Sequence, residues 1–132
     1  ENIPMDFMTP HVVGERIDEQ FEQLIFGRGY DHNYVLAKRW PGELTYAAKA
    51  VSPKTGICME VYTTEPGVQL YTGNWLNGFE GKASRKYTER TAICFETQHF
   101  PDSPNNPHFP STVLRPGEKY TQTCIYKFGI EK

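Results

Sequence analysis

From Glu43 onward the side chains change character at every second residue, and that period of two is what most restricts the folds open to this chain. Leu44, Tyr46, Ala48 and Ala50 form one set, and Thr45, Ala47 and Lys49 the other, as on a β-strand with two unlike faces. Ser52-Pro53-Lys54-Thr55-Gly56 reads as a turn, and strands are predicted over residues 57–64 and 68–72, separated by Glu65-Pro66-Gly67. Strands over residues 92–98 and 120–128 follow loops rich in Gly, Asn and Pro, giving about five in all. The expected arrangement is an antiparallel meander. Before Glu43, Pro4 and Pro10 keep the chain extended, and Ile17, Phe21 and Leu24 recur at helical spacing, which predicts one short helix over residues 14–24.

Composition narrows the function classes. The 132 residues fit one domain and, with eight Tyr, eight Phe and two Trp, can build a core. Lys and Arg total 14 against 16 Asp and Glu, with no basic run, so a nucleic-acid partner is not expected. No stretch approaches the length needed to cross a bilayer, and the start, Glu1-Asn2-Ile3-Pro4, has no signal-peptide pattern, so no membrane partner is expected either. Cys58, Cys94 and Cys124 are an odd set in apolar segments. They suit a reducing, cytoplasmic setting, and without a CxxC pair they suggest no metal site. Phosphate-binding glycine loops are absent, which disfavours nucleotide chemistry. The loop from His99 to Gly117 holds five prolines and is long for a β domain, a mark of covering or functional segments.

Along residues 92–98, alternation places Ala92, Cys94, Glu96 and Gln98 on one face and Ile93, Phe95 and Thr97 on the other. If Ile93 and Phe95 face the core, a rigid strand presents a carboxylate and a carboxamide together, as a catalytic or hydrogen-bonding site requires. A solvated, inert face fits the same pattern, and is the commoner fate of a strand glutamate. On the strand at residues 68–72, Gln69 and Tyr71 share a side opposite Val68 and Leu70, and this strand could lie beside that of Glu96. With Trp75 close in sequence, these residues have the composition of a carbohydrate cleft, although any neutral polar ligand would also fit. Asp31-His32-Asn33, following a glycine, reads equally as a capped turn or a set of ligand contacts. His11, His99 and His108 stand in proline-rich segments without the partners of a nucleophilic hydrolase.

Four segments go beyond generic pattern: Gly29-Tyr30-Asp31-His32-Asn33-Tyr34-Val35-Leu36, the run from Glu60 to Asn74 containing Thr64-Glu65-Pro66-Gly67-Val68-Gln69-Leu70-Tyr71, Glu96-Thr97-Gln98, and Leu114-Arg115-Pro116-Gly117-Glu118. In order and spacing they closely resemble the aldose 1-epimerases, or galactose mutarotases, from about Pro4 to the end of the chain. The resemblance implies an all-β fold, the antiparallel galactose mutarotase-like supersandwich. Residues 1–132 would form the C-terminal part of a single domain. It further implies interconversion of the α and β anomers of free aldoses, without metal or organic cofactor. Glu96 matches the family's general base, and Asp31 and Gln69 match contacts to sugar hydroxyls. None of His11, His32, His99 or His108 matches the family's two active-site histidines. The chain is therefore expected to hold the base without the acid and to be inactive alone. Its expected partners are a monosaccharide and either the missing N-terminal portion or a second copy. The competing reading is a non-catalytic carbohydrate-binding β module on the same fold.

Overall fold

A computed structural model describes residues 3–131 of the chain. Two short helices, α1 (Val13–Arg16) and α2 (Glu22–Gly27), precede eight strands: β1 (Asp31–Val35), β2 (Thr45–Val51), β3 (Ile57–Thr63), β4 (Gly67–Tyr71), β5 (Asn77–Glu80), β6 (Lys86–Thr88), β7 (Cys94–Gln98) and β8 (Cys124–Ile130). The single helix expected over residues 14–24 is thus split in two. Phe21 has an extended backbone and begins a new helix, while Ile17 and Leu24 are both buried, so helical spacing survives across an interruption.

The strands form three sheets, ordered β1-β4-β7, β2-β3-β8 and β5-β6. The expected meander is therefore wrong at two points, since β7 and β8, like β3 and β4, are consecutive among the expected strands but lie in different sheets. Between β3 and β4, the Glu65-Pro66-Gly67 segment carries the chain from one sheet to the other instead of closing a hairpin. β2 and β3 do form the expected hairpin, closed by Gly56 in a left-handed conformation (φ +71°) whose N–H donates to Ser52 O at 2.8 Å.

β2 also departs from strict alternation. Its register against β3 jumps between Tyr46 and Ala48, so Ala47 is the extra residue of a β-bulge. Beyond a bulge every side chain changes side. Tyr46 therefore shares a face with Lys49 and Val51, not with Ala48 and Ala50 as alternation alone implied.

The chain forms two compact units, one containing the chain up to His32 with Leu70–Cys94, the other Asn33–Gln69 with the chain from Phe95 on. In the first, Tyr30 is fully buried. Its ring meets Phe7 edge-to-face with centroids 5.1 Å apart, and its hydroxyl donates to Pro4 O at 3.0 Å. Buried Asn74 donates to the carbonyls of Gly27 and Tyr30, both at 2.9 Å, and accepts from the Thr72 hydroxyl at 2.6 Å. It closes the end of α2, where Gly29 takes φ +131° and a Cβ would come within 2.5 Å of the Asn74 side-chain oxygen. Only glycine suits that position.

In the second unit, Val61 and Thr63 of β3 are fully buried. Lys38 is tied by its ammonium to Glu43 O, Thr45 Oγ1 and Thr63 O at 2.9, 2.7 and 2.6 Å. Burial lowers its pKa from the ordinary lysine value, with the Glu43 and Glu65 carboxylates opposing. Hydrogen bonds from Arg39 hold the Glu43 carboxyl below its usual range. In the β3–β8 register Ile57 faces Ile130 and Met59 faces Phe128. This apolar row is left uncovered, with Ile57, Phe128 and Ile130 at 54, 70 and 74% exposure.

Candidate active site

β4 lies beside β7 in the sheet order, as the sequence allowed. Alternation along β4 turns Val68 and Leu70 into buried positions and leaves Gln69 half-buried on the other side. On β7, Glu96 and Gln98 share one side, with Glu96 exposed and Gln98 half-buried. Phe95, on the opposite side, is half-buried, and Tyr126 donates to its carbonyl at 2.7 Å. Ile93 stands outside the strand and is 39% exposed, so it does not anchor β7 in the core as pattern suggested.

One carboxamide organises this face. Gln98 Nε2 donates to Asn33 Oδ1 at 3.2 Å and to Gln69 Oε1 at 3.1 Å. With both of those oxygens turned toward Gln98, the amide nitrogens of Asn33 and Gln69 are turned away as donors. Gly67 makes the arrangement possible, since a Cβ there would lie 2.5 Å from Asn33 Oδ1. Asn33 is the member that the sequence does not single out, since Asp31-His32-Asn33 reads there equally as a capped turn or a set of ligand contacts; the segment is in fact the strand β1.

Glu96 makes no side-chain hydrogen bond or ion pair among the described residues. It is a solvent-accessible acceptor two residues from the amide network, and its neighbourhood can supply hydroxyl-binding donors as well as a proton acceptor. Asp31 lies in the other compact unit, half-buried at the start of β1, with its N–H donating to His32 Nδ1 at 3.0 Å. Trp75 and Tyr71, considered as sugar-stacking aromatics, are in that unit too. One face of the Trp75 ring is occupied by the Arg28 guanidinium at 4.3 Å, and the Trp75 backbone N–H donates to the Tyr71 hydroxyl at 3.1 Å.

Three of the four histidines have evident local duties. His11 Nδ1 is 3.8 Å from Glu15, His32 Nε2 is 3.1 Å from Gln23 O, and His99 Nδ1 is 2.5 Å from Glu65. His108 is exposed against the edge of Phe109, with ring centroids 4.5 Å apart. Among the described residues no group of three or more His, Cys, Asp or Glu side chains is arranged to hold a metal ion.

Antiparallel sheets with a few short helices, displaying a carboxylate and amides from neighbouring strands, define an all-β protein of the sandwich-like class. The family model for aldose 1-epimerase matches residues 1–127, and the chain belongs to the aldose 1-epimerase family. It is 44% identical over 131 residues to the galactose mutarotase of Rattus norvegicus, covering 98% of this chain and 36% of that protein. It is 39% identical over 126 residues to that of Bos taurus, covering 95% of this chain and 35% of the relative. With the aldose 1-epimerase of Escherichia coli K12 it shares 36% identity over 106 residues, 79% of this chain and 30% of that one. A solved aldose epimerase homologue from C. elegans superposes with a TM-score of 0.83 at 28% identity, over 99% of this chain and 38% of that one. The chain thus spans about a third of the length of these relatives.

Proposed function

We propose that the whole protein to which this chain contributes interconverts the α and β anomers of free aldohexoses such as galactose and glucose. In this reading Glu96 is the general base, and Asp31 and Gln69 bind sugar hydroxyls. The observation that carries it is the accessible Glu96 carboxylate on the same side of β7 as Gln98, whose amide holds Gln69.

Glu96 takes the proton of the C1 hydroxyl while an acid delivers one to the ring oxygen. The C1–O5 bond breaks, and C1 becomes an aldehyde carbon. Rotation about C1–C2 presents the other face of that carbonyl, and the reverse proton transfers close the ring as the opposite anomer. Base and acid exchange roles on closure, so no net proton is consumed. Asn33, with its oxygen engaged by Gln98, turns its N–H donors toward a sugar hydroxyl oxygen, and Gln69 is held by the same carboxamide. None of the four histidines of this chain is assigned as the acid; that group is supplied from outside these residues. The uncovered row of Ile57, Phe128 and Ile130 is then a surface for the rest of the protein or for a second copy of the chain.

The 132-residue chain by itself is expected to leave the spontaneous rate of galactose mutarotation unchanged in a polarimeter. Turnover at the level of the whole protein would overturn the assignment of the acid elsewhere. Gln98→Glu, made in the whole protein, replaces the bridging donor with an acceptor and sets a carboxylate against the Gln69 oxygen. Gln69 must then turn its amide over. KM is expected to rise about tenfold, the value of one misplaced hydrogen bond. An unchanged KM would remove Gln69 as a donor to the sugar.

A further inference from the structure

Glu65 is only 4% exposed, and a carboxylate so far removed from water requires donors in water's place. Two side chains provide them. His99 Nδ1 lies 2.5 Å from one carboxylate oxygen, and the Tyr120 hydroxyl donates to the other. The rings of His99 and Tyr120 also meet edge-to-face, with centroids 6.2 Å apart. The backbone is pinned as well, since the N–H of Glu65 donates to Thr63 Oγ1 at 3.0 Å.

The positions of the three residues give this cluster its meaning. Glu65 stands in the connection between β3 and β4, two residues before β4 begins and four before Gln69. His99 follows directly on Gln98 at the end of β7, and Tyr120 belongs to the segment leading into β8. All three lie in the same compact unit as Gln69, Glu96 and Gln98. A one-residue slip of a strand reverses the side on which every side chain emerges, so tying the end of β7 to the approach of β4 protects the orientation of both glutamines.

We propose that Glu65 is a positioning residue: by gripping His99 and Tyr120 it fixes β7 against β4, so that the Gln98 carboxamide meets Gln69 and Asn33 beside Glu96. The inference rests on the mutarotase reading above and gives the sugar-binding amides a buried support. The same hydrogen bond to Glu65 pushes the Tyr120 hydroxyl up to about 12, because its anion would face the carboxylate.

The test uses Glu65→Gln, His99→Ala and His99→Gln in the whole protein, with three readouts: mutarotation kinetics, chemical unfolding, and the NMR signals of the Gln69 and Gln98 side-chain amides. His99→Ala is expected to raise KM about tenfold with kcat within about twofold, and to move both amide signals. His99→Gln can still donate one N–H to Glu65, and should restore both. If Glu65→Gln fails to fold, His99→Ala carries the test, since His99 is itself partly exposed, at 27%. Amide signals left in place in His99→Ala, whatever the loss of stability, would overturn the proposal. Should the wild-type whole protein show no mutarotation, the functional reading fails, and the amide signals alone still decide the role of Glu65.

Discussion

Glu96→Gln, made in the whole protein, is expected to lower kcat for galactose mutarotation by about a hundred- to ten-thousandfold, the usual worth of a positioned general base. The substitution keeps the length of the side chain and its hydrogen-bonding reach but removes the ability to hold a proton from O1. Glu96 is exposed on β7 and its side chain bears no hydrogen bond or ion pair among the described residues, so the change leaves no buried partner unsatisfied and stability should stay within about 0.5 kcal/mol. KM should change little, because the amides that bind hydroxyls remain in place. Polarimetry over a range of sugar concentrations separates the two parameters. A variant with normal kcat would show that Glu96 binds sugar or faces solvent without acting as base, and would favour the non-catalytic carbohydrate-binding reading.

The largest effect on stability is expected in the first compact unit, at Tyr30. This side chain is fully buried, packs edge-to-face on Phe7 and donates its hydroxyl to Pro4 O. Tyr30→Ala removes an entire ring from a closed environment and is expected to cost about 3–5 kcal/mol. Tyr30→Phe keeps the ring and leaves one carbonyl without its donor, a loss of about 1 kcal/mol. Denaturant unfolding of the two variants should therefore separate packing from hydrogen bonding, and a Tyr30→Phe loss equal to that of Tyr30→Ala would mean that the hydroxyl, not the ring, anchors this unit. Because Tyr30 immediately precedes Asp31, the alanine variant should also weaken sugar binding in whatever fraction still folds.

Some of this site could be read directly from residue order. The strand bearing Glu96 and Gln98, the strand bearing Gln69, and the face each residue occupies all follow from alternation, because apolar partners such as Val68 and Leu70 mark the opposite side. β1 escaped notice because Asp31-His32-Asn33-Tyr34-Val35 carries no apolar alternation: its first four residues are half-buried and only Val35 is exposed. Its strand character comes from lying beside β4. The bulge at Ala47 was equally hidden, since an extra residue is defined only against a partner strand.

Glu65 marks the boundary between the two kinds of information. In the sequence it is one charged residue in a Glu-Pro-Gly turn, and that turn looked like a hairpin between neighbours. Local propensities specified that the chain turns there, which residues are extended on either side, and which side chains share a face. They did not specify that β3 pairs with β2 and β8 while β4 pairs with β1 and β7, because strand partners are chosen by long-range burial. The meeting of Glu65 with His99 and Tyr120, 34 and 55 residues away, follows from that choice, as does the Gln98 bridge to Asn33 and Gln69. Residue order determined the chemical inventory and the face of each strand; tertiary structure decided which of those groups touch, since hydrogen-bond distance is set by the packing of strands far apart in the chain.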